Sequence, residues 1–220
     1  RYGSAMWSGD ISGLLTSLAS HLNVQMHMSM SGVDYYGSDI GGFFRQGGLQ
    51  EETYTQWFAD GTALDVPVRP HTFNLDNFLE TAPDRAGDLN SNLENLRQRY
   101  ELAPYLYSLA HRAYQYGEAV FPPLVYYYPE DPEVREMGSE KLIGRDLLVA
   151  AVAKEFETER KVYLPAGTWV NYHTGEWVES AGEWIGPLTL YPDGRFKLPM
   201  FARAGAILPQ MFVDENTMNV

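Results

Sequence analysis

The chain has no cysteine, and its 16 lysines and arginines are outnumbered by 29 aspartates and glutamates. Without cysteine, neither a disulfide framework nor a thiolate zinc site can form, and the compartment stays unassigned. A formal net charge of −13 leaves no basic stripe for phosphates, which argues against nucleic-acid binding and favours a neutral or cationic ligand. No apolar run approaches the roughly 20 residues that a membrane-spanning helix needs. The opening stretch Arg1-Tyr-Gly-Ser-Ala-Met-Trp7 reads directly as a strand with no leader before it, so the chain is expected to be the later part of a longer protein.

What is present is enough for a packed core. The 220 residues are 45% hydrophobic and 14% aromatic, which suits one or two domains. Fifteen tyrosines and five tryptophans supply amphipathic rings of the kind on which sugars stack, although each one taken singly belongs first to the core. There is no internal repeat and no low-complexity tract.

Strand-like and helical segments alternate in the first half. Tyr2 to Trp7 is short, apolar and aromatic, reads as a buried strand, and is closed by Asp10. Ile11, Leu15, Leu18 and Leu22 then recur at helical spacing, with Ser12 near the start. Met26, Met28 and Met30 alternate between that helix and the next strand, and gap-filling core is the reading for them and for His27. Val33 to Ser38 is the second strand, ending at Asp39, with Gly41 and Gly42 free to turn sharply or approach a ligand closely.

Glu51 to Leu64 is helical in pattern, with Tyr54, Trp57 and Phe58 sharing a face. Val66 to Phe73 is a third strand, made irregular by Pro67 and Pro70, with Arg69 and His71 at alternate positions on one face. A polar loop over Asn74 to Asp88 precedes a long helix from Leu89 to Tyr116. Its apolar face is Leu93, Leu96, Tyr100, Ala103, Tyr107, Ala110 and Tyr114, with a kink at Pro104 and a terminator at Gly117.

Beyond Pro122-Pro123 the pattern becomes all-β. Strands are expected over Leu124 to Tyr128, Leu142 to Val152, Lys161 to Leu164, Trp169 to Tyr172 and Phe201 to Pro209. The fold class is therefore α/β followed by all-β, with the boundary between Gly117 and Glu140. Residues 1–122 form the first domain and residues 123–220 a β-sandwich.

The candidate site follows from the strand ends. In a barrel of parallel strands the side chains at successive carboxyl ends converge on one opening. Trp7-Ser-Gly-Asp10, Gly37-Ser-Asp39-Ile-Gly-Gly-Phe43 and Arg69-Pro-His71 then form one wall of a pocket.

Those three motifs, together with Pro104-Tyr-Leu-Tyr107, Gly144-Arg-Asp-Leu-Leu-Val149, Val162-Tyr-Leu-Pro165 with Trp169, and Arg203-Ala-Gly-Ala-Ile-Leu-Pro209, resemble glycoside hydrolase family 31 in order and spacing. The resemblance implies the last three strands of a (β/α)8 TIM barrel followed by a β-sandwich. It also implies an exo-acting retaining α-glycosidase with no cofactor and no metal, an α-glucosidase first, with α-xylosidase and α-transglucosidase as the alternatives. By the same resemblance Asp10 is the general acid/base, Asp39 and His71 bind hydroxyls of the terminal sugar, and Trp7 and Phe43 line the pocket. Arg69 braces the site.

The chemistry of these residue types agrees. A retaining mechanism needs a carboxylic acid that protonates the departing oxygen and a second carboxylate about 5 Å away that forms the glycosyl-enzyme bond. The acid must stay protonated until cleavage, which calls for apolar company such as Trp7 or a neighbouring negative charge. The family's nucleophilic aspartate and the arginine upstream of its acid/base have no counterpart here, so the expected partners are an α-glucoside or oligosaccharide substrate and an N-terminal part of the same enzyme. Pro122-Pro-Leu124 stands where members often carry Arg-Pro-Leu. Two other classes compete: a metal-dependent barrel enzyme with Asp10, Asp39 and His71 as ligands, and a non-catalytic carbohydrate-binding module.

Overall fold

The computed structural model describes residues 4–45, 50–75 and 79–214. The first half holds β1 (Met6–Trp7), α1 (Leu15–Met30), β2 (Tyr36–Gly37), α2 (Glu51–Leu64), α3 (Leu89–Glu101) and α4 (Ala103–Tyr116). The second half holds β3 (Glu140–Ile143), β4 (Leu147–Ala150), β5 (Glu159–Leu164), β6 (Gly167–Asn171), β7 (Trp177–Ser180), β8 (Glu183–Thr189) and β9 (Met200–Arg203). No helix among the described residues is long and apolar enough to cross a membrane.

β1 and β2 pair in parallel, Met6 opposite Tyr36 and Trp7 opposite Gly37. The expected third strand over Val66 to Phe73 is reduced to single bridges. The Val66 N–H reaches the Tyr36 carbonyl, Asp39 bridges Arg69 in parallel, and the Ile40 N–H donates to the Arg69 carbonyl at 2.9 Å. Pro67 and Pro70 have no N–H to offer a ladder, which accounts for the shortfall. The order is nonetheless three parallel runs side by side, each followed by helix or loop.

Several expectations need correction. Met6 and Trp7 are half exposed rather than buried, and residues 1–3 of the expected strand lie outside the described residues. The methionine segment is the last two turns of α1, in which Met26 is buried, Met30 is exposed and Met28 lies between. The kink expected at Pro104 of the long helix is a full break at Leu102 into α3 and α4, with Pro104 in the first turn of α4, while Gly117 ends α4 as expected, at φ 72° in the left-handed region. Its buried face is not the one expected. Asn92, Asn95, Leu102, Tyr105 and Leu109 face inward, whereas Leu93, Tyr107 and Tyr114 are exposed.

The second half is two antiparallel sheets, β3-β4-β9-β6-β7 and β5-β8. Leu124 to Tyr126 is a 3-10 turn rather than a strand, Leu142 to Val152 is a hairpin of β3 and β4 folded at Gly144, and the last expected strand stops at Arg203. Strand alternation explains the unbroken apolar run of β4. Leu147 and Val149 pack on the helical half together with Ile143 and Met200, while Leu148 and Ala150 face the second sheet beside Leu142, Val162, Leu164, Trp169 and Phe201. The five-stranded sheet is thus the shared wall of two cores.

A second connection between the halves is polar. Glu52, Gln56 and Asp60 lie one turn apart on α2 and accept the N–H groups of Phe156, Lys154 and Val152, which run in the opposite direction. Four helical residues rise about 6 Å and two extended residues about 6.6 Å, so the ladder of acceptors matches the ladder of donors.

Candidate active site

At the carboxyl ends of the three parallel runs the chain makes a second set of cross-links. The Phe43 N–H donates to the Ile11 carbonyl at 2.8 Å, the Gly13 N–H to the Phe44 carbonyl at 2.8 Å, and the Phe73 N–H to the Phe43 carbonyl at 2.9 Å. These loops hold Asp10, Asp39, Phe43 and His71 on one side of the molecule. Gly42 makes this possible. Its φ is +81°, and a side chain there would lie 2.4 Å from the Gly13 backbone.

Asp39 is the buried member of the group. It has no accessible surface, and Arg69 Nε stands 3.1 Å from its Oδ1. The guanidinium N–H is not aligned into a hydrogen bond, so neither carboxylate oxygen accepts one from the described residues. Burial raises its pKa, Arg69 and His71 oppose the rise, Asp10 adds to it, and Arg45 opposes it more weakly. These charges therefore act on one carboxylate, as a shared site requires.

The front of the wall is aromatic and open. Arg69 lies over the Trp7 ring at 5.4 Å, Phe43 sits 5.6 Å from the His71 ring, and Phe43, Phe44 and Phe73 form an edge-on cluster. Asp10, Trp7 and His71 are all exposed. The Trp7 ring, expected to give Asp10 apolar company, is 48% exposed and carries Arg69. Among the described residues no group of three His, Asp or Glu side chains is placed to hold a metal ion.

Behind Asp39 lies a buried polar network that sequence reasoning missed. Asp65, four residues before Arg69, accepts hydrogen bonds from Ser38 N–H at 3.0 Å, Ser38 Oγ at 3.2 Å and Gln25 Nε2 at 2.8 Å, and His21 Nε2 lies 3.1 Å from it. Trp57 Nε1 donates to Ser38 Oγ at 2.8 Å. His21 and Asp65 are 44 residues apart. The one local signal was a polar residue at each of two helical core positions, His21 and Gln25.

Parallel strand ends that gather carboxylates, an imidazole and aromatic faces, backed by helices and docked on antiparallel sheets, are the arrangement of one sector of a barrel enzyme with an appended sheet domain. Residues 1–109 match the TIM-barrel domain of the glycosyl hydrolases family 31, and residues 117–208 match the family 31 C-terminal domain. The chain belongs to glycoside hydrolase family 31.

Among its relatives, it is 30% identical to a 1,6-α-glucosyltransferase of Sporosarcina globispora over 98% of this chain and 17% of that protein. It is 30% identical to an α-xylosidase of Saccharolobus solfataricus over 98% of this chain and 29% of that protein. The crystal structure of a family 31 α-xylosidase from Xanthomonas citri superposes with a TM-score of 0.84 at 31% identity, covering 96% of this chain and 24% of that one. The chain thus spans less than a third of the length of these proteins.

Proposed function

We propose that this chain supplies the acid/base wall of a retaining, exo-acting α-glycosidase, most simply an α-glucosidase, whose nucleophile comes from an N-terminal part of the same enzyme. On this reading residues 1–122 carry the barrel portion and residues 123–220 the sandwich. The observation that carries the reading is the Asp39 carboxylate, buried yet with both oxygens unengaged in hydrogen bonds among the described residues. A buried carboxylate without donors is costly unless something brings them, and the hydroxyls of a sugar are such donors once the Arg69 side chain, partly exposed and 3.1 Å from the carboxylate, gives way.

The chemistry proceeds in two displacements. Asp10, as the acid, protonates the departing glycosidic oxygen while the nucleophile attacks the anomeric carbon. Asp10, now a carboxylate, then takes a proton from the water that opens the glycosyl-enzyme bond. Its exposed position in this wall leaves the apolar surroundings to be supplied by the substrate and the N-terminal part, which also brings the nucleophile. His71 donates to a ring hydroxyl beside Asp39, and Phe43 and Trp7 offer faces to the sugar.

The test is Asp10→Asn in the full-length enzyme, assayed on an unactivated disaccharide and on an aryl glycoside with a good leaving group. Cleavage of the first should collapse by about a hundredfold or more, and formation of the glycosyl-enzyme from the second should fall far less. Equal losses on both would overturn the acid role. Xylosides and glucosides run side by side decide between the α-xylosidase and α-glucosidase readings.

A further inference from the structure

We propose that Asp65 is a positioning residue for Asp39, acting through Ser38. The inference rests on the reading of Asp39 as a sugar-binding carboxylate. Asp39 itself has little to hold it: its side chain has the Arg69 ion pair and no hydrogen bond among the described residues, so its place is set by the backbone on either side. After it, the Ile40 N–H is fixed to the Arg69 carbonyl. Before it, Ser38 is fixed by Asp65.

Asp65 is 2% exposed, and its two oxygens face three donor groups and the ring nitrogen of His21. Oδ2 takes the Ser38 N–H and the Ser38 hydroxyl, and Oδ1 takes Gln25 Nε2 and faces His21 Nε2. A carboxylate suits this arrangement and an amide of the same shape does not, because an asparagine has one acceptor oxygen and adds two donors of its own. Ser38 has no freedom left, since its hydroxyl donates to Asp65 and accepts from Trp57.

The location makes this more than a core bond. Asp65 opens the run that carries Arg69 and His71, and Ser38 immediately precedes Asp39, so one carboxylate sets the offset between two strand ends of the site. Packing leaves no slack beside it. A side chain at Gly37 would lie 2.5 Å from the Pro67 carbonyl and 3.5 Å from the Asp65 Cβ. A shift of about 1 Å in a group that binds the reacting sugar is enough to cost about a hundredfold in rate.

The experiment is a double-mutant cycle on kcat/KM in the full-length enzyme, with Asp65→Asn, Asp39→Asn and both together. Asp65→Asn alone should lower kcat/KM by about 10- to 100-fold, and by no more than about twofold once Asp39 is already Asn. The same factor in both backgrounds would show that Asp65 acts on general stability, and would overturn the proposal. Should Asp65→Asn fail to fold, Ser38→Ala takes its place in the cycle, since it removes the hydroxyl link and keeps the N–H bond. If Asp39→Asn alone turned over at the wild-type rate, the sugar-binding reading of Asp39 would fail instead, and the inference with it.

Discussion

Asp39 and Arg69 meet twice, once through the backbone bridge that joins their runs and once through the 3.1 Å approach of Arg69 Nε to Asp39 Oδ1. The same guanidinium covers the Trp7 ring. One residue therefore acts on both the buried carboxylate and the exposed indole.

Arg69→Met should show both effects. Arg69 opposes the rise that burial gives the Asp39 pKa, so removing it raises that pKa further. Asp39 then protonates at higher pH, and the acidic limb of the kcat/KM profile should move towards neutrality. The loss at the optimum should be about tenfold to a hundredfold, the value of a hydrogen bond or contact to a charged group. An unmoved acidic limb would mean that Arg69 braces the fold without acting on Asp39.

Gly42→Ala tests the loop that carries Phe43. At φ +81° any side chain is strained, and here it would also enter the Gly13 backbone. The loop must shift, moving Phe43 away from the Ile11 carbonyl and from His71. KM for the sugar should rise more than kcat falls, with the melting temperature lowered by a few degrees. Wild-type kinetics with a lowered melting temperature would confine Gly42 to stability.

What the sequence made legible was local chemistry. The Gly37-Ser-Asp39-Ile-Gly-Gly stretch announces a turn and a close backbone approach because glycine alone tolerates both, and α2 starts and stops where its pattern begins and ends. The Asp65 network was hidden because Asp65, Ser38 and Trp57 lie in different elements from His21 and Gln25, and no period links them across the chain. The face of α3 and α4 was misjudged because tyrosines mark an apolar stripe equally well when they are exposed. β7 and β8 went unread because one side of each is open, with Trp177 and Trp184 largely exposed, and Gly182, Gly186 and Pro187 interrupt the alternation.

The polar ladder of α2 predicts a different kind of loss. Gln56 gives its amide N–H to the Lys154 carbonyl at 2.8 Å and takes the Lys154 N–H at 3.0 Å. Gln56→Ala leaves both backbone groups without partners at the junction of the two halves, at a cost of about 1–3 kcal/mol. Chemical denaturation should show the transition at lower denaturant, with activity per folded molecule unchanged. A shift below about 0.5 kcal/mol would mean that water replaces the amide there.

Lys141 makes the last prediction one of pH. It is wholly buried on β3, 5.8 Å over the Phe121 ring, with no hydrogen-bond partner for its amine among the described residues. Burial lowers its pKa from 10.5 to about 7, against the pull of Asp65 and Asp34. A depressed folded pKa contributes stability that is present above the unfolded value and lost as pH falls through the folded one. From this group the protein should therefore lose stability between pH 10 and pH 7, by up to about 1.4 kcal/mol per pH unit, and no more below. Glu140 titrates in another window, because burial raises its pKa from 4.5 to about 7 and its contribution is lost as pH rises through that range. Lys141→Met keeps the volume and removes the charge, so its advantage over the wild type should be largest at pH 7 and below and should shrink steadily towards pH 10. Unfolding curves of the two proteins that run parallel from pH 7 to pH 10 would show that the amine is charged and compensated in the folded state, and that burial does not govern it.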